Sequence, residues 1–274
     1  VDRRNAVLCG LHGLTGVGAL RGPMSGRDDV QTVTVSRRFR GPPRSGNGGY
    51  CCGLLAARLG PSVEVTLKAP PPLDTVLEIK RNGDRLSLDD GATEIASARD
   101  AVLDLEIAAA PSLEEAEAAR DRYAGFDEHL CAGCFVCGTA RQPDDGLNVF
   151  AGPVEGRDMV AAPWVPGADL TDRTDGVATQ FLWAALDCPG YFAFRKHPLA
   201  AVLGRMTGEV RRHPPVGEAC IVCAWPIRQE GRKWLAGSAI FDKSGELCAA
   251  ACAVWIELSA ADQEAFYAPD PAGT

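Results

Sequence analysis

One pattern occurs twice along the chain. Residues 63–80 read VEVTLKAPPPLDTVLEIK and residues 206–223 read MTGEVRRHPPVGEACIVC; in each, an alternating segment meets a proline step, turns, and resumes as a second alternating segment. Setting Pro72 on Pro215 offsets the two by 143 residues. Setting Glu94 on Glu246 offsets the next pair by 152, residues 90–107 (DGATEIASARDAVLDLEI) against 243–258 (KSGELCAAACAVWIEL). Period-two alternation marks strands with one buried face, and self-similarity at a long spacing marks a duplicated unit. Ahead of each strand run lies one strand and one helix. Residues 32–39 alternate, the glycine-rich 45–49 opens an apolar helix over 50–59, and Gly60-Pro61 stops it. Residues 159–165 alternate, Thr174-Asp175-Gly176 caps a helix over 177–186, and Cys188-Pro189-Gly190 is expected to stop that one. Each half therefore predicts one helix laid against a curved antiparallel sheet, an α+β arrangement.

The rest of the chain is organised around the two halves. Residues 1–29 read as a poorly ordered extension, with Met24 as an alternative start to Val1, because glycines break the apolar run that follows Arg3 and Arg4. The first repeat spans 30–110. Residues 111–146 hold a polar linker helix expected in solvent (112–123, with the capping box Ser112 and Glu115) and a cysteine-rich turn; the second repeat spans 147–258, and 259–274 form a tail. A hydrophobic share of 46% is enough for a sizeable core, and a net charge of −8 repels phosphates and anionic lipid surfaces. Nucleic acid and membrane are excluded as expected partners, and no apolar run approaches the roughly 20 residues of a membrane span. The eleven cysteines are odd in number, and several lie inside apolar runs, as thiols in a reducing cytoplasm do.

One helix wrapped by an antiparallel sheet, with Asn47-Gly48-Gly49-Tyr50 opening the first helix, resembles the hotdog fold. The duplication makes the chain similar to a double hotdog protein of the acyl-CoA thioesterase II type, over residues 30–258. That resemblance implies hydrolysis of an acyl-CoA-type thioester by carboxylate-activated water, without a cofactor or metal and with a homo-oligomer left open. In the family, a carboxylate on the second-half helix, a hydroxyl on the following strand and a glutamine on the last strand orient the water. Asp187 falls where the carboxylate belongs and Thr207 where the hydroxyl does, while the glutamine position falls near Ala253. A helix N-terminus opened by glycines offers free amides to an oxyanion or a phosphate. On that reasoning Asn47, Gly48 and Gly49 are expected to polarise the thioester, with Tyr50, Asp175, Gly176 and Trp183 among the substrate-binding residues. Asp187, one helical turn from Trp183 in an apolar stretch, should titrate above the ordinary carboxylate range, as a general base requires.

The segment His129-Leu-Cys131-Ala-Gly-Cys134-Phe-Val-Cys137-Gly138 could supply four zinc ligands. No second Cys-x-x-Cys pair follows at the spacing of a zinc ribbon, and Arg141 stands where an iron–sulfur pattern would place its fourth cysteine. It resembles Cys-Phe-Val-Cys-Gly segments ahead of the second half in hotdog-like proteins, so a docking turn is expected, with Cys131, Cys134 and Cys137 apart. No Gly-x-Ser-x-Gly elbow exists; His12, His197 and His213 lie in a tail, a loop and a proline step, and no phosphate-cradling Gly-rich lysine loop is present. Two rival classes remain at this stage: a non-catalytic module binding acyl-CoA or a lipid-like ligand, and a metal-organised structural protein.

Overall fold

The computed structural model describes residues 30–171, 176–194 and 200–268. The expected extension over 1–29, and with it the choice between Val1 and Met24, lies outside the described residues. In chain order the strands are β1 (Val30–Thr34), β2 (Ser62–Leu67), β3 (Val76–Asn82), β4 (Arg85–Asp90), β5 (Thr93–Asp100), β6 (Gly152–Pro153), β7 (Val160–Trp164), β8 (Ala201–Val210), β9 (Cys220–Glu230), β10 (Lys233–Asp242) and β11 (Leu247–Glu257). The helices are α1 (Gly48–Ala56), α2 (Leu113–Arg120), α3 (Thr179–Phe192) and α4 (Ala260–Tyr267). All strands join one antiparallel sheet in the order β1-β3-β4-β5-β2-β8-β11-β10-β9-β7-β6. The order mirrors itself about β2 and β8, which pair along a seam running from Ser62↔Glu209 to Thr66↔Arg205.

Both central helices are apolar all round because they are buried all round. Every residue of α1 after Gly48 is buried, and α3 buries all but Thr179 and Tyr191. They cross at a glycine contact: a Cβ on Gly49 would come within 2.5 Å of the Asp187 Cβ and the Trp183 carbonyl, and one on Gly53 within 2.5 Å of the Gln180 Cα. This close approach, as much as capping, accounts for the glycines that open and punctuate α1.

Three expectations change. The second helix does not stop at Cys188-Pro189-Gly190 but runs on to Phe192 with Pro189 inside it. A helix-interior proline costs about 3 kcal/mol, which a helix buried along most of its length recovers from packing. Strand β5 ends at Asp100, seven residues short of the alternation, and residues 101–112 carry no regular structure. Leu103, Leu105 and Ile107 instead pack on a second apolar cluster with Ile221, Ala239 and Phe241, across the outer face of the other half's sheet. Alternation specifies two faces, not a hydrogen-bonded neighbour. The linker helix is not solvated either. Its capping box forms as read, Ser112 N–H to Glu115 Oε2 at 2.6 Å and Glu115 N–H to Ser112 Oγ at 3.1 Å, but Ala116 and Ala119 are fully buried against β7.

Candidate active site

Asn47 is the N-cap of α1: its Oδ1 accepts the Tyr50 amide at 2.8 Å. The amide end of the same side chain reaches across the crossing to α3. Asp187 Oδ2 accepts from Asn47 Nδ2 at 3.0 Å and from the Gly49 amide at 2.9 Å, so the first half pins a carboxylate supplied by the second. The other oxygen, Oδ1, is buried and has no hydrogen-bond partner. Burial pushes the Asp187 carboxyl up to about 7, against the lowering effect of the Gly49 and Asn47 donors. A carboxyl with one oxygen fixed and one free, titrating near neutrality, can take a proton from water and return it.

Asp187 opens on a cavity of about 470 Å³. Its floor is Asn47 and Gly48 from the start of α1, its walls include Leu67, Leu203 and Trp255 from the sheet, and Phe266 and Tyr267 of α4 help to close it. The expected tail thus contains a helix that takes part in the site, held by Tyr267 Oη to the Ala201 carbonyl at 3.0 Å.

Asp187, Asn47, Gly48 and Gly49 come together as the sequence suggests, with one change of role. The Asn47 amide group and the Gly49 N–H are engaged with Asp187 rather than facing a thioester carbonyl, which leaves Gly48, on the cavity wall, as the first-turn amide available there. Thr207 is not part of the site. Met206 and Gly208 face the helices, Met206 fully buried and Gly208 directly against the Trp183 ring, so Thr207 between them points to the outer face, where its strand neighbours are Glu64 and Cys252. Tyr50 and Trp183 are core residues rather than cavity residues: Tyr50 stacks on Phe39 with ring centroids 4.3 Å apart, and Trp183 is 1% exposed. Gly176 bridges to Pro215 against His213, away from the cavity, and Asp175 lies outside the described residues.

Sequence reasoning missed two residues. Trp255 lines the cavity, and its indole Nε1 is buried without a partner. It lies two positions past Ala253, beyond a bulge that sets Val254 opposite Arg205 but Trp255 opposite Leu203. An indole in an otherwise small-residue strand was the available signal. The second is Cys188, read as part of a helix stop. Cys134 and Cys137 do converge, contrary to expectation, and it is Cys188 rather than Cys131 that joins them: the three Sγ atoms lie within 4.8 Å of one another. Cys188 also receives Asn47 Nδ2 at 3.7 Å. His129 stays out of the cluster. Its Nδ1 accepts the Cys131 amide at 2.9 Å, which puts the proton on Nε2, 2.9 Å from the Cys137 carbonyl; burial lowers its pKa.

The architecture is that of the hotdog fold. Among solved structures, the tesB protein of Mycobacterium avium subsp. paratuberculosis shares 14% identity over 89% of this chain and 98% of its own, with a TM-score of 0.58. The acyl-CoA thioesterase II TesB2 of Mycobacterium marinum shares 15% identity over 89% and 98%, with a TM-score of 0.52. A hot dog fold protein of unknown function from Alicyclobacillus acidocaldarius shares 12% over 88% and 97%, with a TM-score of 0.50. At these identities the likeness is one of fold. No known family profile and no curated protein matches the sequence.

Proposed function

We propose that the chain is a thioesterase of duplicated hotdog architecture that hydrolyses an acyl-CoA-type thioester, with Asp187 as the general base. The observation that carries this reading is the half-pinned carboxylate: Oδ2 held by Asn47 and Gly49, Oδ1 unpartnered, on the wall of an apolar cavity. In this reading the Asp187 carboxylate takes a proton from water, the water oxygen bonds to the thioester carbon, and the Gly48 amide at the α1 N-terminus stabilises the oxyanion. The C–S bond then breaks and the departing sulfur takes the proton back from Asp187. Trp255 lines the same cavity, and its unpartnered indole N–H, beside Gly190 of α3, is the donor this reading puts in place of the absent glutamine. Duplication is supported by the mirrored strand order, in which β1, β3, β4, β5 and β2 correspond to β7, β9, β10, β11 and β8. A cytoplasmic setting is supported by ten free cysteines among the described residues, most of them buried.

The test is Asp187→Asn assayed on a panel of acyl-CoA thioesters. Asparagine retains an oxygen for the Gly49 and Asn47 donors, so folding and ligand binding should persist while the hydrolysis rate falls by about 10²–10⁴-fold. Equal turnover in both proteins would remove Asp187 as the base. Absence of turnover in the wild type, with acyl-CoA still bound, would favour the non-catalytic binding module, which the outward-facing Thr207 and the missing glutamine also support.

A further inference from the structure

Three thiols meet on the cavity wall, and the proposed hydrolysis uses none of them. Among the described residues they form the one group of three or more His, Cys, Asp or Glu side chains whose ligand atoms converge this closely. Cys134 and Cys188 Sγ are 3.7 Å apart. A tetrahedral zinc with Zn–S bonds of about 2.3 Å sets its ligand sulfurs about 3.8 Å apart. We propose that Cys134, Cys137 and Cys188 form a site for a thiophilic divalent cation of the zinc class, with the fourth coordination position open to the cavity.

The loop carrying two of the thiols has the shape such a site requires. Cys134 and Cys137 sit on one tight turn, which the Gly138 amide closes on the Cys134 carbonyl at 3.0 Å. Gly138 has no room for a side chain, since a Cβ would come within 2.5 Å of both the amide nitrogen and the carbonyl oxygen of Cys134. Two of the three cysteines are also held from behind. Tyr123 Oη and His129 Nε2 both reach the Cys137 carbonyl, at 3.0 and 2.9 Å, and Asn47 Nδ2 contacts Cys188.

Charge points the same way. Arg40 Nε and Arg141 Nε donate to one carbonyl, that of Gly133, at 3.1 and 2.9 Å, which sets two guanidinium groups against the residue preceding Cys134. A divalent cation with three thiolates carries net −1, and these cations offset it in a buried setting. Three soft sulfur donors select zinc-like ions over calcium or magnesium, and the cavity that all three cysteines line is the entry path. A disulfide would join two of the sulfurs and leave the third without a role, whereas a cation engages all three.

The decisive measurement is the zinc content of the full chain, purified without chelator, incubated with zinc under reducing conditions and dialysed. Cobalt(II) substitution, read by thiolate-to-metal absorption, accompanies it. One zinc per chain is expected, with a cobalt spectrum of tetrahedral thiolate type. Cys134→Ser and Cys188→Ser should each lower retained zinc at least tenfold, while Cys131→Ser keeps it. Circular dichroism establishes that each variant folds; if one does not, the wild-type cobalt spectrum decides alone. No retained zinc together with no charge-transfer band would overturn the proposal, as would full zinc retention by Cys188→Ser. So would a disulfide between two of these cysteines in a protein that takes up no zinc after reduction. The readout is metal content, so its outcome is independent of whether the chain hydrolyses thioesters.

Discussion

At the scale of the residue, the site turns on a carboxyl whose two oxygens live differently. Because burial raises the Asp187 pKa to about 7, the carboxyl is protonated in mildly acid solution and ionised above neutrality. Hydrolysis should therefore rise with pH to a plateau, with a midpoint near 7, and that rising limb should vanish in Asp187→Asn; a rate–pH profile measures both. The same shift makes the folded state favour the protonated acid. Its contribution to stability is complete below the ordinary carboxylate range and is lost as pH rises through about 7. Asn47→Ala removes a donor to Asp187 and the cap of α1 together, so it should cost about 1–2 kcal/mol of stability and displace the profile's midpoint upward. A denaturation curve and the same pH profile separate the two effects. Asn47 was legible in the sequence because it caps a helix that local pattern defines, and Asp187 because the family resemblance puts a carboxylate there. Thr207 was misread because the face a strand residue occupies depends on register, and Trp255 was hidden because a bulge re-aims it.

At the scale of the element, the α1–α3 crossing sets two magnitudes against each other. In an exposed helix Gly→Ala stabilises by about 1 kcal/mol. At Gly53 the added methyl would meet the Gln180 backbone at 2.5 Å, and overpacking of that kind costs about 1–3 kcal/mol. Gly53→Ala should therefore lower the denaturation midpoint despite its better helix propensity, and a midpoint unchanged or raised would show that the helices are free to separate. Strand existence was readable from alternation. What alternation cannot say is what covers a strand or where its pairing stops, which is why residues 101–107 were expected to continue the strand and α2 to lie in solvent, and both are found on the outer face. Pro189 taught the complementary lesson: a proline ends a helix only where packing does not hold the next turn in place.

At the scale of the whole molecule, the halves share one sheet and one pair of crossed helices, so neither can lose its structure without exposing the other's core. All five tryptophans, Trp164, Trp183, Trp225, Trp234 and Trp255, belong to the second half, whereas the backbone signal comes from both. Unfolding followed by tryptophan fluorescence and by far-ultraviolet circular dichroism should give coincident transitions, and separated curves would show that the seam between β2 and β8 does not couple the halves. The repeated pattern foretold this sheet, but not that its two runs would join edge to edge, because pairing between distant strands leaves no local mark. The sheet's two ends also differ. One closes on the two-residue β6 ending in Pro153, a poor template for a further strand; the other is β1, five residues long and paired, among the described residues, only with β3. A body with two adhesive ends polymerises, but a body with one can only meet a copy of itself and stop. For the described residues, association through the sheet would join two copies at β1 and leave no second long edge to extend.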